Sequence, residues 1–315
     1  VPFTEIGLGT SPFGNLGRAT TDEATLDAVD VAWSGGVRYF DTAPHYGLGL
    51  AETRLGTALA GRPRDDYVIS TKVGRLLVPT PENAHLLDDD GFAVPAAFRR
   101  EWDFSRDGIL RSVDGSLERL GLDDVDVLFL HDPDDHWEQA STTGIDTLRE
   151  LRDQGLTRAI GAGMNQSAML ARFVERFDVD VVMLAGRYTL LDQSALDDLL
   201  PLAVERGVAV VAAGVYNSGV LSRHDVPDGA WYEYQPASAE IIARARRIAA
   251  VCERHGATLP EAAVRFPLRH PAVVSVAVGA RDGAQSAGNL ERADHDLPDD
   301  LWAELEAEGL VRTLP

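Results

Sequence analysis

The stretch DVDVLFLHD, residues 124–132, is a short apolar run without strict alternation that ends on a histidine and a carboxylate. Such a run reads as a strand buried on both faces, as the strands of parallel sheets are. The same signature recurs as EIGLGT (5–10), VRYFDT (37–42), YVISTKV (67–73), TRAIGAG (157–163), DVVMLAG (180–186), GVAVVAAGV (207–215) and VVSVAVGA (273–280). Amphipathic segments lie between these runs. TDEATLDAVDVAWSGG (21–36) opens on a Thr/Asp start signal and closes on paired glycines. SRDGILRSVDGSLERLG (105–121) spaces Ile109, Leu110, Val113, Leu117 and Leu120 as one helical face, and residues 194–207 and 238–256 read likewise. Strand then helix, repeated about eight times, predicts an α/β protein whose residues 1–315 form one (β/α)8 TIM barrel domain. The first run continues as GLGTSPFG, which lacks the G-x-G-x-x-G and helix start of a dinucleotide-binding doubly wound sheet.

Composition narrows the function classes. A formal charge of −21 argues against nucleic acid, whose phosphates need a basic face. No run of about 18 apolar residues occurs, so no membrane partner or span is expected. The N-terminus shows no basic segment followed by an apolar one, and Cys252 is the lone cysteine, so the expectation is a cytoplasmic protein without disulfides. The acidic run LLDDDG (86–91) reads as a solvated loop. Two connections are long, about 74–104 and 216–237, and long loops in compact domains often serve as lids or binding loops. The second carries AWYEYQP (230–236), whose Trp231, Tyr232 and Tyr234 can supply apolar walls.

In a parallel barrel the C-terminal strand ends converge on one mouth, where active sites sit. Asp41 ends the second run, Tyr46 follows in the loop YFDTAPHYG, Lys72 ends the third run and His131 the fourth. Each residue alone reads as a cap or a turn; together they suit proton transfer. A phenol has a pKa near 10, and an adjacent ammonium lowers it, so Lys72 would poise Tyr46. Asp41 would keep Lys72 charged, and His131 would donate a hydrogen bond to a substrate oxygen. The sequence offers no nucleophile triad and no metal site, since the carboxylates of HDPDDH (131–136) read as solvated. Schiff-base chemistry at Lys72 is a competing class, testable by borohydride trapping. A non-catalytic dinucleotide-binding subunit is another.

FDTAPHYG, with Lys72 and His131 downstream, resembles the aldo-keto reductase superfamily, and the likeness runs along essentially the whole chain. That resemblance implies a (β/α)8 fold and a catalytic tetrad of Asp41, Tyr46, Lys72 and His131. It also implies a nicotinamide cofactor, NAD or NADP, bound without a Rossmann domain. By the same likeness the segment 276–290 supplies Gly279, Arg281, Asp282, Gln285 and Asn289 to the adenosine half, with the helix start in that segment suited to phosphate. A carboxylate at Asp282 favours a ribose hydroxyl over a 2′-phosphate, whereas Arg281 argues for the phosphate; NAD is the preferred reading. Asn165 would hold the carboxamide, although the usual preceding serine is Met164 and the usual glutamine of the sixth strand is missing near Ala185. Tyr216, Ser218, Gly219 and Leu221 complete the implied cofactor set. Phe13, His45, Trp137 and Trp231 are the candidates for a small-molecule substrate.

GAGMNQ, LAGRYTLLDQ and HDPDD look most like the branch of aldose 1-dehydrogenases and pyridoxal 4-dehydrogenase. That likeness implies oxidation of an aldose, such as L-fucose or L-galactose, at C1 to the lactone. The alternatives are an NADPH-dependent aldehyde or ketone reductase and a pyridoxal 4-dehydrogenase. Oligomeric state is not legible in the sequence.

Overall fold

Each of the eight apolar runs forms a strand, and the strands close into a parallel barrel in the computed structural model, which describes residues 2–314. They are β1 Ile6–Gly9, β2 Tyr39–Asp41, β3 Val68–Val73, β4 Val127–His131, β5 Ala159–Met164, β6 Val181–Ala185, β7 Ala209–Ala213 and β8 Val273–Gly279. Neighbours in sequence are neighbours in the barrel, and β1 closes the ring by pairing with β8 through Ile6 with Val276 and Gly9 with Gly279. The helices are α1 Asp22–Ser34, α2 Leu50–Leu59, α3 Arg106–Leu120, α4 Ile145–Asp153, α5 Ser167–Arg176 and α6 Leu199–Arg206. They continue with α7 Ala239–Arg254, α8 Leu259–Arg265, α9 Gly283–Asp294 and α10 Asp299–Ala307. Thr21, Ser105 and Ser238 cap α1, α3 and α7 by accepting from backbone amides of the first turn. The segment 194–207 is not one helix: a short turn at Ser194–Leu196 precedes α6, whose N-terminus is capped by Asp198.

Side chains alternate along a strand, so every second residue enters the barrel. Tyr39, Val68, Val127, Phe129, Val181, Met183 and Val211 fill the interior, and Phe3 packs edge-on against Tyr39 with ring centroids 4.6 Å apart. Gly7 makes room for Tyr39, because a Cβ there would lie 2.3 Å from the ring. Two residues beyond Tyr39 stands Asp41, four beyond Val68 stands Lys72, and two beyond Phe129 stands His131. The polar residues at the mouth are thus the top layer of the same interior columns.

Both long connections contain structure. Arg75–Pro79 pairs antiparallel with Phe98–Trp102, and Trp231–Tyr232 with Gln235–Pro236. The acidic run 86–91 is only partly solvated, contrary to expectation: the Asp88 side chain is 3% exposed and forms a two-point pair with Arg100 at 2.6 and 3.0 Å. Arg100 also donates to the His45 carbonyl at 2.9 Å, so this pair ties the hairpin to the loop that carries Tyr46. Among the described residues no helix is long and apolar enough to cross a membrane.

Candidate active site

Tyr46 is seated by backbone packing. The loop after β1 and the loop after β2 touch so closely that a Cβ on Gly14 would lie 2.5 Å from the Tyr46 carbonyl carbon. Gly47, at φ +63°, faces the Gly14 oxygen in the same way. The phenol is thereby carried over the top of β3. There Lys72 Nζ donates to Tyr46 Oη at 3.2 Å, to Asp41 Oδ1 and Oδ2 at 2.9 and 2.8 Å, and to the Thr42 carbonyl at 2.9 Å. Ser70 Oγ donates to Asp41 Oδ1 at 2.7 Å and lies 3.0 Å from Tyr39 Oη. An ordered polar chain runs from the barrel core to the mouth.

Asp41 and Lys72 are almost completely buried, and burial of such a pair is tolerable only because each satisfies the other. Burial alone would lower the lysine, but Asp41 and Tyr46 outweigh it and its pKa is raised. Lys72 lowers the phenol as expected, through its charge and its hydrogen bond, but burial outweighs it and the net shift is upward. Burial pushes Tyr46 up to about 12, with Lys72 pulling down against it and Asp41 adding to the rise. His131 is buried, its ring centroid 6.0 Å from that of Tyr46, and burial together with Arg75 and Lys72 holds it well below the usual histidine range. Its Nδ1 is buried without a partner, which favours the neutral tautomer with the proton on Nε2. His45 is drawn down to about 2 by burial, Arg75, Arg100 and Lys72. Burial and three cationic side chains, Lys72, Arg75 and Arg100, therefore keep two imidazoles neutral at one mouth.

The structure brings Asp41, Tyr46, Lys72, His131 and His45 together. It corrects two substrate assignments. Phe13 is completely buried in the main core and has no surface to offer a ligand. Trp137 is engaged outside the mouth, between Phe173 and Phe177, with the Arg172 guanidinium 3.6 Å above its ring. Trp231 stands 52% exposed on its hairpin, while Tyr232 packs on the core. Tyr234 of the same hairpin donates its amide to Ser218 Oγ at 3.0 Å.

Among the residues expected to hold the cofactor, Tyr216 donates to Asn289 Oδ1 at 3.0 Å and receives from Arg292 at 3.1 Å, while Asn289 Nδ2 donates to the Gly279 carbonyl at 3.2 Å. Gly219 and Leu221 close the turn after β7 through amides bonded to the Tyr216 carbonyl. Arg281 is folded onto the loop after β1, donating to Leu16 O, Arg18 O and Thr20 Oγ1 at 2.7, 3.0 and 2.7 Å. The start of α9 is not the open anion site the sequence suggests. Asp282 accepts the Gln285 amide at 2.9 Å, Asp27 accepts the Gly283 amide at 3.1 Å, and Gln285 itself accepts the Arg281 amide at 3.0 Å. Two carboxylates stand where unpaired amides would attract phosphate.

Sequence reasoning missed Asn217, Arg75 and Asp132. Asn217, at φ +44° and 5% exposed, donates to the Gly186 carbonyl at 3.3 Å at the end of β6, and its Oδ1 is buried without a partner. Asn165 lies half-buried just past the end of β5. A nicotinamide carboxamide carries N–H donors, and a buried orphan acceptor between β6 and β7 fits one. Arg75 opens the hairpin after β3, pairs with Asp132 and lies 4.5 Å over the Trp102 ring. Only the adjacency of Asp132 to His131 was visible as a signal.

A parallel barrel whose mouth holds a phenol against a buried ammonium has the architecture of barrel-type carbonyl oxidoreductases. The chain belongs to the Aldo/keto reductase family, whose model matches residues 5–308. It is an oxidoreductase of that family that uses a nicotinamide dinucleotide and acts on a small molecule. It is 45% identical over 311 residues to the D-threo-aldose 1-dehydrogenase of a Pseudomonas species, covering 98% of this chain and 94% of that protein. It is 40% identical over 330 residues to the pyridoxal 4-dehydrogenase of Microbacterium luteolum, again with 98% and 94% covered. Among solved structures, an aldo-keto reductase from Bacillus halodurans superposes with a TM-score of 0.75 at 25% identity, covering 99% of this chain and 93% of that one.

Proposed function

We propose that this protein is an NAD-preferring aldose 1-dehydrogenase that oxidises a cyclic hemiacetal at C1 to the lactone. The observation that carries the reading is Lys72 Nζ, shared between Asp41 and the Tyr46 hydroxyl at the barrel mouth. In this reaction the anomeric O–H loses its proton to Tyr46 while C1 gives up its hydride and the C1–O1 bond becomes a carbonyl. The bound nicotinamide supplies the hydride acceptor. Lys72 stabilises the phenolate that receives the proton, Asp41 holds Lys72, and His131 donates from Nε2 to O1 as carbonyl character develops. In the reverse direction Tyr46 is the acid. The likeness to a D-threo-aldose 1-dehydrogenase supports an aldose, and the likeness to a pyridoxal 4-dehydrogenase supports the same atoms, since pyridoxal also closes to an internal hemiacetal.

NAD is the preferred cofactor because a 2′-phosphate finds neither of its usual supports. Arg281 is committed to three acceptors of the loop after β1, and Asp27 and Asp282 put negative charge at the start of α9. Asn217 and Asn165 are the residues for the carboxamide, and Tyr216 and Asn289 line the adenosine side. The acidic chain with a single cysteine fits a cytoplasmic enzyme. The test is absorbance at 340 nm with purified protein, NAD or NADP, and a panel of free aldoses and pyridoxal. Reduction of NAD by L-fucose, L-galactose or a related sugar is the expected result. Silence there, with NADPH consumed by simple aldehydes, overturns both the substrate and the cofactor reading.

A further inference from the structure

Asp132 follows His131 directly and holds φ +41°, a left-handed conformation rare for a residue with a side chain. Its backbone is fixed there, with the amide donating to the Gly163 carbonyl at 3.0 Å and Pro133 next in the chain. Strained backbone of this kind persists where surrounding structure imposes it, and it gathers at functional sites. Here it turns the carboxylate back over the mouth, placing Oδ2 3.6 Å from His131 Nε2, the atom that faces a reacting oxygen. Arg75 holds that carboxylate and is itself stacked on Trp102, while the Arg75 Nε is buried without a partner. The pair is unnecessary for the acid/base relay, which Asp41, Lys72 and Tyr46 complete among themselves.

The geometry points to Asp132, held by Arg75, as the receptor for the hydroxyl on the carbon next to the one oxidised, so that the site selects vicinal diols; this rests on the aldose reading above. An oxygen bound by His131 Nε2 and Tyr46 is O1. The next oxygens of a pyranose lie within a hydrogen-bond length of it, namely the ring oxygen and the C2 hydroxyl. A carboxylate needs a donor, and only the C2 hydroxyl has a proton to give. A guanidinium beside the carboxylate then donates to the same or the following hydroxyl oxygen, and the two together read a diol from both sides. A simple aldehyde offers Asp132 nothing and leaves it desolvated, which is how a site built for a hydroxyl rejects the analogue lacking it.

The experiment compares kcat/KM for L-fucose and its 2-deoxy analogue, with NAD, in the wild-type protein and in Asp132→Asn. Asparagine is nearly isosteric and tolerates positive φ, so it removes the charge and keeps the backbone. The ratio of the two rates is independent of how much protein is folded. The expected wild-type ratio is roughly tenfold or more in favour of the 2-hydroxy sugar, as for a hydrogen bond to a charged group, and the variant ratio falls toward one. Arg75→Gln is expected to reduce the ratio in the same direction. Equal wild-type rates for the two sugars overturn the proposal and leave the aldose reading standing. A variant that slows both sugars by the same factor also overturns it, because Asp132 then only positions His131. Turnover of neither sugar by wild type removes the aldose reading itself.

Discussion

Lys72 Nζ lies 2.8 Å from Asp41 Oδ2 and 3.2 Å from Tyr46 Oη, so one buried ammonium joins the barrel core to the phenol at the mouth. Removing either member of a buried ion pair strands the other, at a cost of about 3–5 kcal/mol, whereas removing both can be nearly neutral. Lys72→Met and Asp41→Asn are therefore each expected to destabilise the fold strongly, and the double variant to recover most of the loss. Activity should stay lost in all three. Urea unfolding alongside 340 nm assays separates the two effects. Additive destabilisation in the double variant would mean that the pair is not energetically coupled.

The Tyr46 phenol, pushed up to about 12 by burial, is protonated across the neutral range. A base that must first ionise grows tenfold in its active form with each pH unit below its pKa. Sugar oxidation should accordingly rise from pH 7 to 9. Tyr46→Phe should cut turnover by about 10² or more while NADH binding, followed by fluorescence, is retained. Turnover in the phenylalanine variant equal to wild type would remove Tyr46 from the reaction.

Asn217 holds an unpartnered buried Oδ1 between the ends of β6 and β7. If that acceptor holds the carboxamide, Asn217→Ala should weaken NADH binding by about tenfold, roughly 1.4 kcal/mol, as expected for one hydrogen bond. Titration of nicotinamide fluorescence reads this without turnover. Adenosine diphosphate ribose lacks the carboxamide and should bind the variant as well as it binds wild type. An equal loss for both ligands would instead indicate a disturbed loop.

Asp282 caps α9 and, with Asp27, puts negative charge at its start, where the reading proposed above brings the ribose of the cofactor. Asp282→Ser preserves a capping oxygen and removes the charge. The NADP to NAD ratio of kcat/KM should rise several-fold, with stability changed by less than about 1 kcal/mol. An unchanged ratio would take Asp282 out of cofactor choice.

The barrel was legible because fully buried parallel strands leave a simple trace, short β-branched runs separated by helical periodicity, and no tertiary detail is needed to see it. The mouth was legible where strand alternation fixes direction: Asp41, Lys72 and His131 follow interior residues at even spacing, so their side chains must share the pocket. Loops carry no such rule. Trp137 and Phe13 look like pocket aromatics by composition, yet one is sandwiched on an outer helix and the other sealed in the core. Arg75 and Asn217 were invisible for the converse reason. Their roles depend on a hairpin register and on a left-handed turn at Asn217, φ +44°, which local sequence does not encode. The burial that raises Tyr46 is likewise a property of two loops pressed together at Gly14 and Gly47.

His131 gives the fold a predictable acid limb. Its pKa is held well below the ordinary 6.5 by burial first and then by Arg75 and Lys72. Unfolding restores the ordinary value. Below about pH 6.5 the unfolded chain therefore binds a proton at this residue that the folded chain refuses, and folding stability falls as pH falls; above it the contribution is complete. One such group gives a slope of up to about 1.4 kcal/mol per pH unit. His45 acts in the same direction, so the comparison must change one residue only. In His131→Asn the fall in urea stability between pH 6.5 and 5.5 should be smaller than in wild type by about 1 kcal/mol. The variant's stability at pH 7.5 is a separate quantity and leaves this slope untouched. Parallel acid limbs in the two proteins would show that His131 takes up its proton as readily folded as unfolded, and that the neutral imidazole assigned to substrate binding is not what the site holds.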